Sequence, residues 1–154
     1  MILTEEETEQ IRRQAEAEYP AECCGVILSA AGNGRMILPC RNIQNELHAQ
    51  DPAAHPRDAR TAYMISPQDL LRLARMESDG YEVKVIYHSH IEAGAYFSET
   101  DKRNALIDGE PSYPTATYVV CSVQDGKALE INAFRWDPAV HDFMPVPLGT
   151  RNNR

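Results

Sequence analysis

The chain has 154 residues, the size of one ordinary domain, with 43% hydrophobic and 25% charged residues, a mix that excludes disordered, collagen-like and coiled-coil chains. A net charge of −8 repels phosphate backbones, so no nucleic-acid partner is expected. No stretch approaches the roughly 20 apolar residues of a membrane span, and the opening MILTEEETEQ lacks the basic and apolar regions of a secretory signal, so a cytoplasmic protein is expected.

Residues 4–18 read as a helix, with Thr4 as N-cap and Glu7 completing a capping box. Tyr19-Pro20 ends it. CGVILSA (24–30) has strand length and composition, AGNGR (31–35) is a turn, and MILPC (36–40) is the returning strand of a hairpin. Residues 41–60 show no period and are expected to form a long loop of the kind that is usually functional. TAYMI (61–65) reads as a strand. Ser66 caps the next helix, with Pro67 at its first position and Leu70, Leu73, Ala74 and Met76 as its buried face. EVKVIYHSH (82–90) is a strand rich in Val and Ile, 91–97 is a loop, and Ser98 opens a helix with Glu99 and Asp101 in its first turn. TATYVVCSV (115–123) and ALEINAFRW (128–136) form a hairpin about the turn 124–127, and the proline-bearing tail from Asp137 is at best an edge strand. Helices alternating with strands, and strands meeting in hairpins, imply an α/β (α+β) domain over 1–154 with one mixed sheet flanked by helices.

Four cysteines, Cys23, Cys24, Cys40 and Cys121, form no Cys-x-x-Cys pair, so a thiolate cluster is not indicated and buried free thiols are expected. The chemistry lies in His88-Ser89-His90 at a strand end. Residues at i and i+2 share a strand face, roughly 6.6–6.8 Å apart, so two imidazoles can lean onto one ion. Alone, such a pair is more often incidental. A catalytic zinc takes three protein ligands and keeps one position open, and Asp101, returned by the loop 91–97, can supply the third.

The stretch His88-Ser89-His90, seven residues, Ser98, two residues, Asp101 resembles the signature of the JAMM (MPN-plus) metallopeptidases. Prokaryotic members also place a proline, then a glutamate, then Cys-Gly before the first strand, a position that Pro20-Ala21-Glu22-Cys23-Cys24-Gly25 is similar to. Many members have proline after the second histidine. Here it is Ile91, a difference in the loop that removes no ligand. The resemblance covers most of the chain. It implies the JAMM/MPN, cytidine-deaminase-like fold, one zinc ion on His88, His90 and Asp101, and Glu22 as general base.

The resemblance further implies that Ser98 donates to the developing oxyanion, although a helix cap is also open to it. Ser89 should point to the opposite strand face and support the ligands. The implied substrate is a ubiquitin-like or sulfur-carrier protein cut at its C-terminal tail, which would lie as an added strand. A homodimer is left open. The competing reading is a non-catalytic MPN-type binding scaffold, whose members typically lack the ligands. A zinc nucleobase deaminase would need His-x-Glu and Pro-Cys-x-x-Cys, and neither occurs. His48, His55 and His141 are read as surface or packing residues. For Arg57 and Arg60 a solvated role outweighs a grip on a carboxylate or partner. Tyr96 and Phe97 either line a substrate channel or anchor the loop.

Overall fold

The computed structural model of the protein describes residues 1–31 and 34–149, so Gly32 and Asn33 of the expected turn lie outside the described residues. In chain order the elements are α1 (Glu5–Glu18), β1 (Cys24–Ala30), β2 (Arg35–Cys40), α2 (Gln44–Gln50), α3 (Pro67–Ser78) and β3 (Tyr81–Ile91). They are followed by α4 (Glu99–Ala105), β4 (Leu106–Ile107), β5 (Glu110–Pro111), β6 (Thr117–Gln124), β7 (Lys127–Asp137) and β8 (Asp142–Val146). Six strands form one mixed sheet in the order β2-β1-β3-β6-β7-β8, and β4 and β5 pair separately. Among the described residues only β3 and β6 run parallel; the other neighbours in this sheet are antiparallel. The expected mixed sheet with flanking helices is thus observed.

The central strands are apolar on both sides because both faces of the sheet are covered. Val26 and Leu28 of β1, Ile86 of β3 and Tyr118 and Val120 of β6 pack in a core with Leu73 of α3 and Ala105 of α4. The alternate residues Ile27, Val85, Tyr87, Val119 and Cys121 pack in a second core with Ile11 and Ala15 of α1. This period of two decides which side chains face the site. His88 and His90 project to the α3 and α4 side; Ser89 turns to the other, as expected.

α1 begins with the expected capping box: Glu7 N–H donates to Thr4 Oγ1 at 3.0 Å and Thr4 N–H to Glu7 Oε1 at 2.9 Å. Glu7 also pairs with Arg35 at 2.9 Å, which ties the helix to β2. β8 lies at the sheet edge, where Pro145 faces Phe134 without interrupting an interior ladder. The four cysteines are buried and free.

Three expectations need correction. Residues 41–60 are not all loop, because Gln44–Gln50 form α2. A helix this short has too few apolar residues to show a period, and side-chain amides hold it in place. The stretch 61–65 is not a strand of the sheet: its ladder contact is a single bridge from Ile65 to Asn42. Its backbone is partnered by 41–43 instead, with Ile43 N–H on Met64 O at 2.9 Å and Ser66 N–H on Arg41 O at 3.0 Å. In α3, Leu73 is buried and Met76 half-buried, whereas Leu70 and Ala74 are exposed. α3 packs on the sheet mainly through β3, so a narrow stripe suffices.

Gly25 of β1 carries a steric constraint. A Cβ built there would lie 2.1 Å from Tyr87 Oη and 2.3 Å from its Cζ. Tyr87 is fully buried and its hydroxyl donates to Gln14, so the ring has no room to retreat. Gly25→Ala is therefore expected to destabilise the protein by about 1–3 kcal/mol. The measurement is the chemical-denaturation midpoint, and an unchanged midpoint would show that the ring is not seated against Gly25.

Candidate metal centre and cleft

β1 and β3 set the site. Their antiparallel register pairs Cys24 with His88. Continuing it, Ser89 N–H donates to Cys23 O at 3.1 Å, and Cys23 N–H donates to Ser89 Oγ at 2.7 Å. Ser89 thus clips the β1 entry to the strand carrying the histidines. One residue further, the register brings Glu22 level with His90 and on the same face. The Glu22 backbone is held from outside the sheet as well. Its N–H donates to Ala59 O at 2.7 Å and its carbonyl accepts from Asn42 Nδ2 at 2.9 Å.

Asp101 arrives from the first turn of α4. Ser98 caps this helix through a second capping box, with Asp101 N–H donating to Ser98 Oγ at 3.0 Å and Ser98 N–H to Asp101 Oδ2 at 3.0 Å. The cap aims the carboxylate back at the strand end. Asp101 Oδ2 lies 3.1 Å from His88 Nε2 and 3.0 Å from His90 Nε2. One ligand atom from each of His88, His90 and Asp101 lies within 4.8 Å of the others, and all three residues are buried.

The imidazoles are arranged for a metal rather than for each other. His90 Nδ1 is 3.0 Å from Gly94 O, and a carbonyl can only accept, so Nδ1 carries the proton and Nε2 presents its lone pair. That lone pair faces a carboxylate oxygen, which also only accepts. His88 is fully buried, and among the described residues neither of its ring nitrogens has a hydrogen-bond partner despite the nearby carboxylate. Buried polar atoms without partners are rare because each forfeits its solvation. A cation shared by two imidazole nitrogens and a carboxylate oxygen resolves all of these contacts at once, so the donor set fits a metal of the zinc type. Burial lowers the His88 pKa and keeps the ring neutral, with Asp101 opposing and His90 assisting. For Asp101, burial pushes the carboxyl up. The two imidazoles and the Ser98 N–H outweigh it, and the carboxyl ends well below the usual range.

Beside these residues opens a cleft of about 350 Å³, lined by Glu22, Arg57, Arg60, His90, Tyr96, Ser98 and Asp101 among others. Glu22 is 5% exposed, and burial together with the Asp101 charge pushes its carboxyl up to about 9, with Arg57 opposing. Ser98 Oγ accepts from the helix, which leaves its hydroxyl proton free to turn into the cleft. Tyr96 is exposed and lies edge-on to His90 at 4.9 Å between ring centroids, whereas Phe97 is buried against Tyr118, Phe134 and Phe143. Of this pair, Tyr96 lines the cleft and Phe97 anchors the loop in the core. His48 accompanies a backbone contact to His55 O, and His141 packs on Trp136; neither lines the cleft.

Sequence reasoning missed the supports. Tyr63, read as a strand residue, stacks on His88 at 4.6 Å. The loop 91–97 is pinned by β6 and β7: Glu92 N–H donates to Val123 O at 2.8 Å, Ala95 N–H donates to Glu130 Oε1 at 3.1 Å, and Asn132 Nδ2 donates to Ala95 O at 3.1 Å. At its start, Glu92 adopts φ 53°, a left-handed conformation that a non-glycine residue enters only when held. Its carboxylate accepts from Tyr19 Oη at 2.6 Å and Asp125 N–H at 2.9 Å. None of these residues has a sequence signal, because each partner is remote along the chain. Asn42 is the most connected. Nδ2 serves Glu22 O and Ala62 O, while Oδ1 accepts from Gln44 and Met64 N–H at 3.0 and 3.1 Å. Asn42→Ala is expected to speed amide hydrogen exchange at Gln44 and Met64 by roughly 10-fold or more, the equivalent of about 1–3 kcal/mol for stranded groups. Unchanged protection at both would remove Asn42 as the organiser of this segment.

Residues 4–137 match the model of the prokaryotic homologs of the JAB domain. The chain is 32% identical over 122 residues to the CysO-cysteine peptidase of Mycobacterium tuberculosis, covering 79% of this chain and 72% of that protein. It is 32% identical over 126 residues to the desampylase of Haloferax volcanii, covering 81% and 76%. In fold it is similar to a solution structure of a Desulfitobacterium hafniense protein, with a TM-score of 0.63 and 19% identity over 93% of this chain and 87% of that one. The capped helix that returns Asp101 to a His-x-His strand end, in a chain matched over nearly its whole length, places this protein in the family of prokaryotic homologs of the JAB domain.

Proposed function

We propose that this protein is a zinc-dependent peptidase that hydrolyses an amide bond at the C-terminal tail of a ubiquitin-like or sulfur-carrier protein. The observation that carries the reading is the buried His88 imidazole, without a hydrogen-bond partner at either nitrogen among the described residues and facing Asp101, which lines a cleft together with His90 and Glu22. The names of the peptidase and desampylase relatives support the hydrolase class. A scaffold that only bound protein would have no use for a buried, desolvated ligand set.

One zinc ion on His88, His90 and Asp101 would supply a Lewis acid that acidifies water and polarises the scissile carbonyl. Glu22 takes the proton of the attacking water and returns it to the leaving amine. Burial raises its basicity, and a cation on the neighbouring ligands would favour the ionised form that accepts the proton. Ser98 turns its hydroxyl toward the carbonyl oxygen as negative charge grows there. The capping box supports this role, since the helix engages the lone pair and leaves the proton available. In balance, the C–N bond breaks, the water hydroxyl joins the carbonyl carbon, and the amine leaves with the proton. The tail enters extended and is read through its backbone.

Elemental analysis and turnover test the reading together. Wild-type protein is expected to hold one zinc per chain, and His88→Ala is expected to lose it; full zinc retention in the variant would sink the ligand assignment. Glu22→Gln keeps the ligands but removes the base, so it should retain zinc and lose roughly 10²–10⁴-fold or more in kcat. A Glu22→Gln protein that turns over normally would remove Glu22 from the chemistry.

A further inference from the structure

The cleft holds acids and cations in an uneven arrangement. Glu22, Glu99 and Asp101 line it, and so do two guanidinium groups, Arg57 and Arg60, in a protein whose net charge is −8. The two arginines are not equivalent. Arg60 is already matched: its Nη2 and Nε lie 3.2 and 3.3 Å from Asp58 Oδ2, and its backbone N–H donates to Asp58 Oδ1 at 2.9 Å. These contacts hold the Asp58 carboxyl below its usual range.

Arg57 has no such partner. Among the described residues its guanidinium forms no salt bridge, and its one hydrogen bond is a long contact of 3.4 Å from Nη1 to Thr61 O. Its backbone, by contrast, is fixed. The Arg57 carbonyl accepts from Nε2 of the buried Gln44 at 2.9 Å. Two residues on, Ala59 N–H donates to Asn45 Oδ1 at 2.8 Å and Ala59 O receives the Glu22 N–H at 2.7 Å. The anchored segment that positions the Glu22 backbone therefore also sets Arg57 at the cleft, with most of its N–H donors unused.

A guanidinium with unused donors suits a carboxylate, which it binds through two parallel hydrogen bonds. Hydrolysis of a C-terminal residue presents one at the right reach. The free α-carboxylate lies two bonds from the scissile nitrogen, so its receptor must line the same cleft as the catalytic carboxyl. An isopeptide offers nothing comparable, because a lysine side chain separates the scissile nitrogen from the backbone and that backbone continues as amide.

Resting on the peptidase reading above, we propose that Arg57 is a specificity residue of this cleft that binds the free α-carboxylate of the leaving residue. The reaction consumes one water and no other reactant. The carrier tail is left with a new carboxylate, and the released amino acid takes the proton on its amine.

The probes are Gly-Gly-Ala as the free acid, Gly-Gly-Ala amide, and Gly-Gly joined to Nε of a lysine blocked at both ends. Binding is measured by calorimetry on metal-free wild type, Arg57→Gln and Arg57→Lys, so that direct ligation of a metal by the carboxylate cannot contribute. Arg57 is exposed, and its substitution is not expected to disturb folding. The free acid should bind wild type roughly 10- to 100-fold more tightly than the amide. The ratio should fall to about one in Arg57→Gln and lie between in Arg57→Lys, which keeps the charge but not the fork. Equal binding of acid and amide, no binding of the acid at millimolar concentration, or a preference that survives Arg57→Gln overturns the proposal. Turnover by zinc-loaded wild type separates the two readings. Cleavage of the isopeptide as fast as the acid overturns the role of Arg57 and leaves the peptidase standing. Cleavage of none of the probes, with the Arg57-dependent preference intact, removes the peptidase and leaves the carboxylate site.

Discussion

The register between β1 and β3 is the constraint on which the site depends. Side chains alternate across a sheet, so a slip of one residue would send His88 and His90 to the α1 face and leave Ser89 beside Asp101. Two features prevent it. Ser89 exchanges hydrogen bonds with both backbone groups of Cys23, and Tyr87 fits over the bare Cα of Gly25. Both lock the two strands in the one alignment that sets Glu22 level with His90. The short residue between the histidines is thus a structural pin on one face of the sheet, while its neighbours face the chemistry on the other.

Around this pair of strands, side-chain amides and carboxylates do the work that backbone ladders do elsewhere. Asn42, Gln44 and Asn45 bind the 41–62 segment to itself and to Glu22. Glu92, Glu130 and Asn132 hold the loop that leads to Ser98. Such bonds satisfy buried backbone groups that would otherwise be costly to leave unpaired. They also make the cleft walls rigid, so the side chains within it are positioned by strand ends and a capped helix rather than by free loops.

The electrostatics of the cleft follow from burial more than from net charge. The surface is acidic, yet the buried site collects two imidazoles, a carboxylate held well below its usual range and a second carboxyl pushed up to about 9. Two carboxyl groups in one cleft with opposite shifts imply two roles, one suited to hold a cation and one suited to carry a proton. The Arg57 charge, in the same cleft, opposes the second shift.

Much of this was legible in the chain itself. The strands of the sheet, the capping box at Thr4, the helix start at Ser98 and the His-x-His to Ser-x-x-Asp spacing are local, and local rules of pleat, cap and spacing read them directly. Among the described residues, β1, β2, β3, β6 and β7 fall where their apolar runs and turns put them. What the sequence could not contain is anything made by groups distant along the chain. The helix at Gln44–Gln50, the stacking of Tyr63 on His88, the exposure of Leu70 on a helix that needs only a narrow buried stripe, and the anchoring of Glu22 by Asn42 all depend on the closed sheet. Residue types and spacings determined which groups were available to meet. Tertiary structure alone decided which of them lost their water and their partners, because desolvation and hydrogen-bond satisfaction are properties of the packed whole.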